Sequence, residues 1–222
     1  CLTMAGYPLK DETKYKEALE WADKVVQSNE HALRTTFDPA TTNSPYSQIF
    51  IDQSRDIYDT KECIWEIDFY MNDNNTAFFE AGRLGTMNLG CNNLDTGYAG
   101  ANIKTTIKLY NLYGAGDLRR DWVVCPFYFN STTTSATRVN QPSGTIIGRE
   151  MGKWRRYYEK MSPQKQQYYN GTNFPVIRYA DVLLMQAEAE NEVNGPTEKA
   201  YSGINQVRRR GYNVPINEAS VK

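Results

Sequence analysis

Glu66 and Asp68 stand two residues apart in the run Glu62-Cys63-Ile64-Trp65-Glu66-Ile67-Asp68-Phe69-Tyr70, whose alternation and β-branched and aromatic content read as a strand. Period two puts both carboxylates on one face, the pairing an acid–base glycosidase needs. Nothing nearby in the sequence supplies a pocket around them, so the plainer reading is a half-exposed strand whose carboxylates meet water. His31 is the single histidine, which leaves imidazole-based catalysis and metal binding almost without ligands. It follows Glu30 at a polar helix end, a surface setting. The cysteines at 1, 63, 91 and 125 show no C-x-x-C spacing, and four in 222 residues make no disulfide framework. Cys63, Cys91 and Cys125 sit beside apolar or small residues and read as buried free thiols. No enzyme emerges from these groups, and no cofactor is implied.

Binding chemistry is better represented. Residues 71–102 lose all periodicity and carry Asn, Asp and Gly with a few rings and one arginine. Sugars present apolar faces to aromatic rings and hydroxyl edges to amides, carboxylates and guanidinium groups. Asn72, Asp73, Asn75, Phe78, Arg83 and Tyr98 are therefore the candidate ligand contacts, on composition and loop length alone. The competing reading makes the asparagines turn formers and the phenylalanines anchors to the core. Oxygen ligands for calcium are also available there.

Composition narrows the partners. Twenty-five Lys+Arg against twenty-six Asp+Glu give a net charge of −1, with no basic surplus for nucleic acid. Arg208-Arg209-Arg210 and Lys153, Arg155 and Arg156 are short charge runs that read as solvated or locally paired. Hydrophobic residues are 40% and charged residues 23%, enough for a real core. Sixteen tyrosines against eight phenylalanines and four tryptophans suit a surface that grips polar ligands. No apolar run reaches the roughly 18–20 residues of a membrane helix.

Positioning such a loop falls to helices. Tyr15, Ala18, Leu19, Ala22, Val25 and Val26 form a helical stripe over Thr13–Ser28, with Asp11 available as a cap. A second helix over about 178–193 buries Ala180, Leu183, Leu184 and Ala187. Gly195 supplies a left-handed stop, and Pro196 suits the first turn of a third helix burying Ala200, Ile204 and Val207 to about Arg210. Two antiparallel helices of this length, with small residues at their crossing, match one tetratricopeptide unit or an ordinary helical hairpin, which periodicity alone does not separate. Such a pair cannot cover its own apolar faces. The helix at 13–28 has only the stub Leu2–Ala5 beside it, and Tyr212–Lys222 is too irregular to cap the last pair, so the expectation is a piece of a larger protein. Between the helices, a short helix over Thr105–Tyr113, a strand over Asp121–Phe129, a polar loop at 131–135 and an extended segment at 152–158 are expected.

The segment Phe174-Pro175-Val176-Ile177-Arg178-Tyr179-Ala180-Asp181-Val182-Leu183-Leu184-Met185-Gln186-Ala187-Glu188-Ala189-Glu190-Asn191-Glu192 closely resembles the core helix of the SusD/RagB family, and Gly195 through Arg210 continues the likeness. Leu2–Leu9, Ala18–Val25, Glu62–Phe69, Gly116–Asp121 and Gly152-Lys153-Trp154 resemble the same family with lower specificity, in the family's order. The resemblance implies a mainly α fold, tetratricopeptide-like helical hairpins at about 1–30 and 174–211 with a loop-rich insertion carrying a few short strands at about 31–173. It implies a surface-exposed outer-membrane lipoprotein of Bacteroidetes type that partners a SusC-like TonB-dependent transporter. Such a protein captures oligosaccharide, or sometimes peptide, and does not hydrolyse it. Arg178, Asp181 and Glu188 would then be scaffold residues making structural ion pairs or hydrogen bonds. The lipid anchor is not evident: Cys1 leads into Leu2–Pro8, a helix end and turn rather than a polar tether, and the family's N-terminal region and closing helices are expected to be missing. The alternative is a helical-repeat interaction module with no small-molecule ligand.

Overall fold

The structure, a computed structural model, describes residues 1–6, 8–69, 82–159 and 169–216. Its helices are α1 (Leu2–Ala5), α2 (Thr13–Ser28), α3 (Pro45–Ser54), α4 (Ile107–Leu112), α5 (Leu118–Val123), α6 (Tyr179–Asn194) and α7 (Glu198–Gly211). Four five-residue strands, β1 (Cys63–Ile67), β2 (Phe127–Ser131), β3 (Ala136–Asn140) and β4 (Phe174–Arg178), pair as β1 with β4 and β2 with β3. The fold is mainly α with a few short strands, as the sequence predicts. None of the described helices is long and apolar enough to cross a membrane.

The chain divides into two compact units. The first holds Cys1–Thr36, Asp59–Trp65 and Pro175–Lys222. Here α6 packs against both α2 and α7. Ala18, Leu19 and Ala189 form one apolar cluster, and Leu33, Tyr179, Ala180, Leu183 and Val207 another. The crossing of α6 and α7 is tight at Gly203, where a Cβ would come within 2.6 Å of the Leu183 carbonyl oxygen. Leu184 and Ile204, expected inside, are exposed. Glu12 rather than Asp11 is the N-cap of α2. Pro196 precedes α7, whose N-cap is Thr197; its hydroxyl accepts from the Ala200 N–H. Gly195 adopts the positive φ of 82° that a non-glycine residue resists.

One charged side chain lies at the heart of this unit. Glu62 is fully buried, and its Oε1 accepts from Arg210 Nη1 at 2.7 Å and Arg178 Nη1 at 3.1 Å. Oε2 accepts from the Arg34 N–H at 2.8 Å, while the Arg34 guanidinium pairs with Asp59 at 3.0 Å. At the start of α6 the Asp181 carboxylate accepts from the Arg178 N–H at 2.9 Å. Arg178 and Asp181 make structural contacts, as the resemblance implies, whereas Glu188, grouped with them, is exposed. Arg210 is not the solvated member of a surface run; it is buried on a carboxylate far away in sequence.

The second unit holds Phe37–Tyr58 and Glu66–Phe174. Its core gathers Tyr46, Ile49, Phe50 and Ile51 of α3 with Trp122, Val123 and Trp154. The Phe50 ring meets Tyr46 and Trp154 edge-on, at 5.0 and 5.4 Å. Every residue of α3 is buried. Its polar groups are answered internally: Gln48 donates to Asp52 at 2.7 Å, and Gln53 accepts from the Trp154 indole N–H at 2.9 Å. The expected strand over Asp121–Phe129 is instead α5, capped by Asp117, followed by β2 from Phe127. Pro126, which lacks an N–H, marks the break. The polar run at 131–135 is the turn of the β2–β3 hairpin, where Thr132 N donates to Ser135 O at 2.7 Å. The segment expected to be extended at 152–158 ends in a 3₁₀ turn, Arg156–Tyr158. Cys91 and Cys125 are buried and Cys63 is half-buried, all as free thiols.

Candidate functional site

Of the six candidate contacts, Asn72, Asp73, Asn75 and Phe78 lie outside the described residues. Arg83 and Tyr98 are described, and both belong to the second unit. Arg83 is exposed and Tyr98 half-buried. Between them the chain is a framed loop rather than a slack one. Cys91 and Ala99 exchange two backbone hydrogen bonds of 2.9 Å. Asn93 Oδ1 accepts from the Thr96 N–H, and its amide donates to the Thr133 carbonyl of the hairpin turn at 3.1 Å. Fully buried Asn88 donates to the Leu84 carbonyl at 2.8 Å. These two asparagines are turn and anchor residues, while Asn92 and Asn102 stay exposed.

Arg156 nails the loop from below. Its Nη1 donates to the Tyr98 carbonyl at 2.6 Å, its Nη2 to the Tyr169 carbonyl, and its Nε to the Glu159 carboxylate at 3.0 Å. Gly97, at φ 110°, lies directly on Arg156, where any Cβ would overlap. Arg155 and Arg156 are thus buried rather than solvated, and Arg156 is paired locally with Glu159, the other half of the expectation. Tyr98 is placed by its backbone, so its ring position is set by the frame and not by the loop's own preferences.

The same unit contains a crevice of about 470 Å³ that the sequence does not reveal. Thr41, Thr42, Asn43 and Ser47 line one part of it, Asp121, Trp122 and Phe127 with Leu118 and Pro126 another, and Arg138, Asn140, Arg155 and Tyr158 the remainder. Trp122 and Tyr158 stack with centroids 6.2 Å apart, and the Tyr158 hydroxyl donates to the Thr41 carbonyl at 2.9 Å. Burial pushes the Tyr158 phenol well up from its ordinary value, and the Tyr157 hydroxyl beside it pushes the same way. Burial likewise raises the Cys125 thiol, against the pull of the Arg155 and Arg138 charges. The lining residues come from four separate stretches of chain. Their one signal in sequence is the run of rings and cations at Trp154-Arg155-Arg156-Tyr157-Tyr158, of which Arg155 and Tyr158 reach the crevice.

Chemically, loop and crevice offer hydroxyls, amides, guanidinium groups and rings: recognition groups. Glu66 and Asp68 do not form an isolated pair. Glu66 accepts from the Asn173 amide at 3.4 Å, and Asp68 lies beyond the end of β1, beside the Tyr58 phenol. Among the described residues no group of three His, Cys, Asp or Glu side chains could hold a metal ion.

Comparison with known proteins gives the chain relatives. Residues 127–220 match the SusD family. A SusD homolog from Bacteroides thetaiotaomicron superposes with a TM-score of 0.80 at 29% identity, over 98% of this chain and 43% of that one. A SusD superfamily protein from Parabacteroides distasonis gives 0.58 at 22%, over 99% and 43%. A surface glycan-binding protein A from Bacteroides thetaiotaomicron, solved with laminarihexaose, gives 0.60 at 17%, over 94% and 45%. The chain therefore spans less than half the length of these structures. No curated protein sequence matches it.

Proposed function

From a chain that carries the SusD-family signature at residues 127–220 and the SusD fold over its length, we propose that it captures oligosaccharide at the cell surface for import. The carrying observation is the 0.80 superposition at 29% identity on a SusD homolog. The structure solved with laminarihexaose shares the fold, which supports a glycan as the ligand. In this reading the protein is an outer-membrane lipoprotein that delivers its ligand to a SusC-like TonB-dependent transporter and leaves glycosidic bonds intact. The helices of the first unit are scaffold. The ligand contacts are those of the irregular loop: Asn72, Asp73, Asn75, Phe78, Arg83 and Tyr98. Peptide is the second ligand class.

Calorimetric titration against neutral and acidic oligosaccharides and short peptides tests this. Binding to oligosaccharide, without reducing-sugar release, is expected. Replacing Phe78, Arg83 and Tyr98 together by alanine should weaken that binding by about tenfold or more, the loss of one or two stacking and hydrogen-bonding contacts. Unchanged affinity removes the loop from the site. Binding to no glycan, alongside capture of a protein partner, would favour a helical-repeat interaction module instead.

A further inference from the structure

The crevice of the second unit sets two guanidinium groups, Arg138 and Arg155, against one carboxylate, Asp121, which pairs with Arg120 instead. Arg155 is 5% exposed. Its bonds go to neutral acceptors: the carbonyls of Gly152 at 2.8 Å and Trp122 at 2.9 Å, and the Tyr157 hydroxyl at 3.1 Å. Arg138, exposed on β3, lies 3.5 Å over the Phe127 ring and reaches the same Tyr157 hydroxyl with a long contact of 3.4 Å. Two guanidinium groups thus converge on one phenol oxygen. Among the described residues neither has an acidic side chain within ion-pair distance. The nearby carboxylates are engaged elsewhere: Asp121 with Arg120 at 2.9 Å, and Glu150 with Lys104 at 2.8 Å. The aromatic faces of Trp122 and Phe127 answer the two cations in part, since a ring quadrupole attracts charge but does not neutralise it.

Buried charge is ordinarily paired, because an uncompensated ion in a poorly hydrated site loses solvation without gaining a partner. Here the gap is beside open volume. Arg155 is pinned by carbonyls and sets the field. Arg138 keeps most of its donors uncommitted and can offer the two-pronged edge that matches a planar carboxylate. The hydroxyls of Thr41, Thr42 and Ser47 and the Asn140 amide can meet sugar hydroxyls around it.

We infer that this crevice is an anion-accepting subsite which takes the acidic group of a charged oligosaccharide, a uronate carboxylate or a sulfate ester, with Arg138 as its direct partner. The inference rests on the glycan-capture reading and narrows its substrate class. Titration with an oligogalacturonide, its carboxyl-reduced counterpart and a sulfated oligosaccharide tests it.

The acidic ligands should bind more tightly than the reduced one, with an advantage that shrinks as salt rises. Arg138→Gln should cut acidic-ligand affinity by about tenfold or more, one charge-assisted contact, and Arg138→Lys should restore part of it. A melting curve of each variant confirms folding. Stronger binding of the uronate than of the sulfated chain assigns a carboxylate, and the reverse assigns a sulfate ester. Equal affinity for the charged and the carboxyl-reduced chains overturns the inference and leaves glycan capture standing. Binding to none of the three, nor to neutral glucans, overturns both.

Discussion

Glu62→Gln removes one charge and almost no volume, and the structure makes its consequence calculable. The carboxylate is 0% exposed and receives Arg178, Arg210 and the Arg34 N–H. Glutamine keeps one acceptor oxygen but puts an NH₂ where a second acceptor stood, facing a donor. The Arg210 side chain is 2% exposed, so water cannot take over the carboxylate's place. Leaving a buried ion without its partner costs roughly 3–5 kcal/mol. For a chain of this size that lowers the melting temperature by roughly 6–20 °C, at 2–4 °C per kcal/mol. Thermal unfolding followed by circular dichroism measures it. A second variant sharpens the reasoning: Glu62→Leu with Arg178→Met and Arg210→Met exchanges the cluster for apolar packing and should recover most of the loss, since buried ion pairs add little over hydrophobic replacements. A Glu62→Gln shift of under about 1 °C, well below that range, would refute the idea that this carboxylate compensates the buried arginines.

Two further outcomes follow from local geometry. Gly203→Ala forces a methyl to within 2.6 Å of the Leu183 carbonyl oxygen, so α7 must shift off α6, at a cost of roughly 1–3 kcal/mol in a denaturant titration. Tyr158, raised in the folded state by burial and by Tyr157, gives stability that is complete below the unfolded tyrosine pKa of about 10 and is lost as pH rises above it. Melting temperature should therefore fall through the alkaline range, in step with tyrosinate absorbance, and the fall should be shallower in Tyr158→Phe; an equally steep fall in that variant would assign the effect to the other raised phenols, Tyr15, Tyr58, Tyr113 and Tyr179.

The helices of the first unit were legible because each has one wet side. Ala18, Leu19 and Ala22 of α2, and Ala180, Leu183 and Ala187 of α6, are buried on the spacing that announces them. Gly195 ends α6 as expected, with a positive φ but an extended ψ of −169° rather than the left-handed helical one. The errors there are errors of width: Leu184 and Ile204 sit at the edge of the stripe and remain exposed. Arg210 shows a different limit. Its run of three arginines looks like solvated charge in any window of sequence, because the carboxylate that buries it is Glu62, brought in by the fold.

In the second unit, the signals that failed did so for a common reason. A helix covered on all sides has no polar face, so α3 shows no period and the sequence reading passes over it, while Gln48 bonds Asp52 and Gln53 bonds Trp154. The same exchange of partners hides the crevice. Arg155 and Arg156 follow one another in sequence, yet Arg156 meets Glu159 and holds Tyr98, while Arg155 meets carbonyls and a phenol. Adjacent, chemically identical residues thus acquire opposite electrostatic roles, one neutralised under the loop and one left as a source of field. Composition could identify a polar, ring-bearing region suited to sugars. Only the pairing of each charge says where such a surface is neutral and where it is positive, and that difference is what separates a site for neutral glucans from one for acidic chains.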